Sequence, residues 1–271
     1  MTDPHPTSAL VNVERRDGVA FVSVDRPPLH ILDLATSRAL AAELRALVAP
    51  DAAAGLRAIV LGSVGGRAFS AGVAIEDHTR EKVAAMLAAF HDVFRALAVS
   101  PVPVLAAVRG AALGGGAELV AFCDAVVAEE TATFGFPEIR LGCYPPVAAL
   151  VLPGVVGRTR AAHLILSGET IGARHALEIG LVTEVVVDGA LIHRAALDAF
   201  VARYVGHSGA ALGLAREAMA GGDGRGPRGA AFLAALDAAE KFYLERLMAT
   251  HDANEGIAAW MEKRTAQWKD R

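Results

Sequence analysis

The chain has 271 residues, enough for one large domain or a domain with an appendage, and it is 54% hydrophobic, so a substantial core is within reach. Its net charge of −4 and pI near 6.1 argue against a grip on a phosphate backbone by bulk charge, and no nucleic-acid partner is expected. The longest apolar stretches are broken by Gly, Pro or charge, so no transmembrane helix is expected either.

In chain order, MTDPHPTSALVNV has neither a basic n-region nor an apolar h-region, so a cytoplasmic location is expected, with residues 1–8 as a disordered tail. VAFVSV (Val19 to Val24) and AIVLG (Ala58 to Gly62) are short β-rich runs that end at turn residues. In EKVAAMLAAFHDVFRAL, the residues Val83, Met86, Leu87, Phe90, Phe94 and Leu97 recur at helical spacing. PVLAAV (Pro103 to Val108), AVVAEE and VTEVVV read as further strands. The alternation implies βαβ units with parallel strands covered by helices. GGDGRGPRG (Gly221 to Gly229) reads as a flexible loop, and the residues after it as two or three helices. Cys123 and Cys143 fit neither a metal nor a disulfide spacing and suit a reducing compartment.

Two stretches carry the chemistry. In AFSAGVAIEDH (Ala68 to His78) and RGAALGGGAEL (Arg109 to Leu119), glycine and small residues lead from a strand end into a helix-like run. Glycine lets backbone approach a ligand closely, and a helix start presents unpaired N–H groups at a positive dipole end. Two such starts could aim two N–H donors at one carbonyl oxygen, though tight turns packing helix on strand would read the same way. Neither stretch fits a nucleotide-binding fingerprint. Glu118 follows the glycine run and Glu138 lies twenty residues on, in FGFPEIRLGCYPP. A glutamate early in a helix is most often a cap or solvated, but apolar neighbours make burial of Glu118 plausible, and burial would raise its pKa toward neutrality.

AFSAGVAI, VRGAALGGGAELVAFCD, ATFGFPEIRLG, GRTRAAHLILSGETIGARHALEIGLVTEVV and HDANEGIAAWMEKR follow one another in an order that resembles the enoyl-CoA hydratase/isomerase, or crotonase, superfamily across nearly the whole chain. The resemblance implies an α/β fold, a spiral of ββα units over 9–205, with a C-terminal helical trimerisation region over 206–271. It implies an acyl-CoA thioester substrate and a homotrimer or dimer of trimers. Carried over by position, it gives an oxyanion hole from the amides of Val73 and Gly115, with Ala71 and Gly114 beside them binding substrate, and two catalytic glutamates, Glu118 and Glu138. That pair would hold one water between them, one carboxylate taking its proton and the other protonating the α-carbon. Possession of both favours hydration or dehydration over isomerisation. No metal or redox cofactor is implied, coenzyme A being part of the substrate. Lys241, Phe242 and Lys263 fall in the region that the resemblance sets near the adenine of CoA.

The chain also departs from the family's pattern. Relatives usually have Asp where this chain has Ala74, and many have Asn where it has His30. Many hydratases have a glycine-rich loop after the second glutamate, where this chain reads CYPPVAALVLP. SAGVxIxDHT combined with GxYPPxAAxxLP looks most like the cyclohexa-1,5-diene-1-carbonyl-CoA hydratases of aromatic degradation, with Tyr144 and two prolines walling a pocket for a flat ring. An ordinary short-chain hydratase of fatty acid metabolism is the competing reading. An isomerase or ring-opening hydrolase of the same superfamily also fits these residues, and an RNA-associated binding module is the reading from a different class. Asp77-His78 reads as half a proton relay or as pocket lining, Asp124 as structural, and His163 and His175 as core or surface residues.

Overall fold

A computed structural model describes residues 10–65, 67–191, 194–219 and 229–271. The expected tail over 1–8 and nearly all of the glycine-rich stretch over 221–229 lie outside the described residues. A hairpin opens the chain. β1 (Val11–Arg16) and β2 (Val19–Val24) pair antiparallel across Asp17 and Gly18, whose φ angles of 51° and 78° make the tight two-residue turn that suits the twist of a strand pair. Helix α1 (Leu34–Val48) starts where the Asp33 carboxylate accepts the Thr36 N–H at 2.9 Å, satisfying one of the donors that a helix start leaves free.

Three rounds of strand, strand and helix follow. The first is β3 (Ala58–Ser63), β4 (Ala68–Ser70), a 3₁₀ turn (Ile75–Asp77) and α2 (Val83–Ala98). The second is β5 (Val104–Val108), β6 (Ala111–Leu113) and α3 (Gly115–Phe122). The third is β7 (Ala125–Glu129), β8 (Thr133–Gly135), a 3₁₀ turn (Pro137–Leu141) and α4 (Pro146–Val156). After α5 (Arg158–Ser167) come β9 (Thr170–Gly172), α6 (Ala173–Glu178) and β10 (Glu184–Val186). Each round adds one strand to each of two sheets. The larger sheet runs β1-β2-β3-β5-β7-β10 and is parallel from β2 onward, and the smaller runs β4-β6-β8-β9. This is the ββα spiral of the crotonase fold, in place of the single sheet that plain βαβ alternation would give. β9 turns antiparallel to β8 and closes the smaller sheet.

The spiral sets the register of everything functional. β4, β6 and β8 are parallel neighbours, pairing Ala68 with Ala111 and Leu113 with Gly135, so their carboxyl ends stop side by side. The segments that leave these ends, Ala71 to Val73, Gly114 to Gly115 and Phe136 to Glu138, therefore converge. Beneath them a chain of edge-packed rings joins α2, α3 and a later helix: Phe90 to Phe94 at 5.1 Å, Phe94 to Phe122 at 5.3 Å, and Phe122 to Phe232 at 5.0 Å between centroids. Burying each such ring is worth about 1.5–3 kcal/mol.

Four helices complete the described chain: α7 (Ala195–Val205), α8 (Gly209–Met219), α9 (Ala230–Phe242) and α10 (His251–Met261), with a π-helical turn (Tyr243–Leu247) continuing α9. Arg216 of α8 is 6% exposed and reaches between the rounds of the spiral, donating to the Asp124 carboxylate at 2.9 Å and to the Leu97 and Ser100 carbonyls. The same Asp124 oxygen accepts the Val104 N–H at 2.7 Å, so Asp124 has the structural role expected of it. Among the described residues no helix is long and apolar enough to cross a membrane.

Candidate functional site

One cleft gathers the candidate catalytic, oxyanion and substrate-binding residues, but not Lys241, Phe242 or Lys263. Ala71, Val73, Gly114, Gly115, Glu118, Glu138 and Tyr144 all line it, around about 610 Å³ of space that is partly open to solvent. The first wall is backbone. Gly72 has a φ of 96°, which favours glycine, and a side-chain carbon there would lie 2.8 Å from the Leu113 carbonyl oxygen and 3.3 Å from the Gly115 nitrogen. The strand exits of β4 and β6 are thus in contact through main chain, with Val73 and Gly115 on either side. Gly115 is the first residue of α3, where an N–H has no partner within the helix. Among the described residues neither the Val73 nor the Gly115 N–H has a backbone acceptor. Two free donors therefore stand at one end of the cleft, where charge developing on an oxygen can be held.

The loop carrying Val73 is braced from behind. The Ser70 hydroxyl donates to the His30 carbonyl at 2.8 Å and accepts the Gly72 N–H at 3.1 Å. His30, where relatives carry Asn, has a φ of 49° and takes the Arg26 N–H on Nδ1 at 3.1 Å, so it organises the bend before α1 and does not line the cleft. Ala74, where relatives carry Asp, offers its carbonyl to His78 Nδ1 at 3.0 Å. A carbonyl can only accept, so that ring nitrogen carries the proton. Burial depresses the His78 pKa, and the ring is neutral near pH 7. Asp77 turns away from it and accepts the Leu34 N–H at 3.2 Å. The proton-relay reading of Asp77-His78 therefore fails, because the carboxylate ties α1 to the loop while the imidazole lines the cleft.

The second wall carries the carboxyls. All eight residues of α3 are buried, so Glu118, 2% exposed, is carried inside by its helix. Its Oε1 accepts the Ala148 N–H at 2.9 Å, from the first turn of α4. Helix starts leave such donors free, and Pro145 and Pro146 begin this one without needing donors of their own. Burial pushes the Glu118 carboxyl up to about 7, with the Ala148 and Val147 amides pulling the other way. Glu138 stands on the 3₁₀ turn after β8. Its Oε2 is buried without a hydrogen-bond partner. Burial, then the nearby Glu118 charge, push it up to about 8. Gly114 holds φ 52° and ψ −127°, and a side-chain carbon there would lie 2.7 Å from Glu138 Oε1. The carboxyl thus rests on the backbone that leads to the free Gly115 N–H.

The remaining walls are apolar or neutral. Ile75, Met86, Leu87, Phe90, Pro145 and Pro146 supply hydrocarbon. Burial raises the Tyr144 hydroxyl to about 12 and the Cys143 thiol to about 11, so both stay protonated. Cys143 and Tyr243, which the sequence reading did not single out, complete the lining. Cys143 had a local signal in its place five residues past Glu138, whereas Tyr243 comes from a distant helix and had none. His163 and His175 are surface residues beside Glu169 and Glu178. Among the described residues no group of three or more His, Cys, Asp or Glu side chains is placed to hold a metal ion.

Comparison with known proteins gives the family. Residues 14–271 match the family profile described as enoyl-CoA hydratase/isomerase. The cyclohexa-1,5-dienecarbonyl-CoA hydratase of Thauera aromatica is 36% identical over 259 residues, covering 96% of each chain. The 2,3-dehydroadipyl-CoA hydratase of Escherichia coli is 35% identical over 263 residues, covering 96% of this chain and 98% of its own. Among solved structures, a carnitinyl-CoA hydratase from Mycobacterium avium superposes with a TM-score of 0.82 at 31% identity, over 98% of this chain and all of that one.

Proposed function

The chain belongs to the enoyl-CoA hydratase/isomerase family, and from that premise we propose that its cleft adds water across the double bond of an α,β-unsaturated acyl-CoA, with a cyclic dienoyl thioester as the substrate. The observation that carries the reading is the pairing of two buried carboxyls with two unpartnered amides in one cleft. The Val73 and Gly115 N–H groups hold the thioester oxygen as it becomes an enolate. Pre-aimed donors of this kind are each worth about 10²–10³ in rate. Glu118, whose negative form is favoured by the Ala148 N–H, takes a proton from water as the oxygen bonds to the β-carbon. Glu138, with an unpartnered Oε2 that favours the neutral acid, gives its proton to the α-carbon. One proton enters the pair and one leaves it, so the site resets after proton exchange between the carboxyls.

Several features support the finer substrate assignment. Apart from the two carboxyls, the walls are hydrocarbon with neutral tyrosine, cysteine and histidine side chains, which suits an uncharged acyl group. Pro145 and Pro146 make a rigid side where a glycine-rich loop would leave a flexible one. The relative from Thauera aromatica is named for a cyclic diene. The reading includes a cytoplasmic enzyme with no metal or redox cofactor, assembled as a homotrimer or dimer of trimers.

The test is turnover of crotonyl-CoA and of cyclohexa-1,5-diene-1-carbonyl-CoA, followed by loss of the conjugated thioester absorbance. Faster hydration of the cyclic diene, abolished by Glu118→Gln and by Glu138→Gln, is expected. Preference for crotonyl-CoA would move the substrate to short open chains. No turnover of either would overturn the hydratase reading.

A further inference from the structure

The cleft is lined by a side chain that hydration does not use. Tyr243 opens the π-helical turn after α9 and is 1% exposed, yet it forms part of the lining. Met248, Ala253 and Ile257, which do not line the cleft, pack with it and with Val83 of α2 in one buried cluster. Tyr243 thus joins the cleft wall to buried core. Two contacts hold the ring still. The Tyr144 ring lies 5.3 Å away at 52°, and Cys143 packs in the same buried cluster. The Cys143 N–H donates to the Glu138 carbonyl at 3.1 Å. This wall of the cleft and the turn carrying Glu138 therefore share one residue.

We propose that Tyr243 is the specificity-determining residue for acyl size. Its ring is the blind end of the acyl pocket, admitting compact acyl groups, ring-shaped ones included, and excluding straight chains that would run into the Met248 cluster. The inference rests on the acyl-CoA reading of the cleft. Tyr243 is the first residue of the π turn, and such bulges recur at functional sites. The ring itself sets the limit.

Calorimetric titration with saturated thioesters, which cannot be hydrated, tests this apart from catalysis. Butyryl-CoA, cyclohexanecarbonyl-CoA and decanoyl-CoA are titrated into the full chain and into Tyr243→Phe and Tyr243→Leu. The unsubstituted protein should bind the two compact thioesters at least about tenfold more tightly than decanoyl-CoA, the scale on which an apolar pocket discriminates size. Tyr243→Phe should keep that ratio. Tyr243→Leu should reduce it by about tenfold. Equal affinity of the unsubstituted protein for all three overturns the inference even if the leucine variant does not fold. An unchanged ratio in a folded leucine variant also overturns it. If the unsubstituted protein binds none of the three, the acyl-CoA reading itself falls, and the inference with it.

Discussion

A buried carboxyl is a weaker acid than one in water, and here two share a cleft in which one amide favours the ion and the other carboxyl has an oxygen without a partner. The sign of the consequence for stability follows from linkage. Both groups are weaker acids in the folded chain than in the unfolded one, so the folded state retains protons that the unfolded state has released. Their contribution is fully present below the ordinary carboxylate range and is lost as pH rises through about 7 to about 8. Melting temperature should therefore fall across that window, and Glu138→Gln, which carries no proton to lose, should flatten the fall. A slope identical to the unsubstituted protein's would show that Glu138 does not carry the shift. Either glutamine variant should lose about 10²–10⁴ in kcat while its circular dichroism is unchanged. Gly114 makes a sharper case, because the backbone conformation and the carboxyl both exclude a side chain. Gly114→Ala would press a carbon against Glu138 Oε1 at 2.7 Å, in a region of φ and ψ that costs an L-residue about 1–3 kcal/mol. Misplacing a reacting group by a fraction of an ångström to an ångström costs about 10²-fold, so a rate drop of that order is expected. Activity within about twofold of the unsubstituted protein would mean that this glycine does not set the carboxyl's place.

At the scale of elements, the cleft depends on how rounds of the spiral are fastened, and the clearest fastening is ionic and buried. Arg216 and Asp124 are 6% and 15% exposed at their side chains and pair at 2.9 Å. Asp124→Ala should destabilise the fold by about 3–5 kcal/mol in denaturant titrations, because it strands a guanidinium under α8, whereas Asp124→Leu combined with Arg216→Met should recover most of that loss. Additive effects of the two single changes would show that the ion pair is not the fastening. The elements also explain what could be read in advance. β2, β3, β5 and β7 of the larger sheet announce themselves by apolar runs five or six residues long, and α2 by its helical period. β4, β6, β8 and β9 have three residues each, too few for any period to show, yet they build the sheet whose ends define the site. Glu118, Glu138, Val73 and Gly115 were legible because each lies within a short motif beside its strand end. Tyr243 was not, since a tyrosine late in an amphipathic helix looks the same whether it meets core or cavity, and only the fold brings it 100 residues back to Cys143.

For the whole molecule, the C-terminal residues close onto the segment that carries Glu138. α10 lies against its backbone so closely that a side-chain carbon at Gly256 would come within 2.2 Å of the Leu141 carbonyl oxygen, and one at Gly142 within 2.7 Å of the Asp252 carbonyl oxygen. The residues after α10 then fold back over the same place. Asp252 accepts the Lys269 and Asp270 N–H groups at 2.8 Å each, the Arg271 carbonyl accepts the His251 N–H at 2.6 Å, and Glu255 accepts both Arg264 and the Gln267 N–H. These partners hold the Glu255 carboxyl down at about 2 and Asp252 below its ordinary range. The clasp is thus charged at every pH at which a protein of this kind works. Trp268 is its apolar end, placed to touch a side chain at either Gly142 or Gly256. Nothing in the clasp reaches the cleft, so its effect on catalysis must pass through the position of the Glu138 turn. Removing residues 264–271 should therefore lower kcat for hydration by about tenfold or more while leaving KM within a few-fold, because the lost interaction acts on the reacting carboxyl and not on the thioester grip of Val73 and Gly115. Trp268→Ala should do the same to a smaller degree. A truncated chain with unchanged kcat would show that α10 alone fixes the turn, and a rise confined to KM would place the clasp on substrate binding instead.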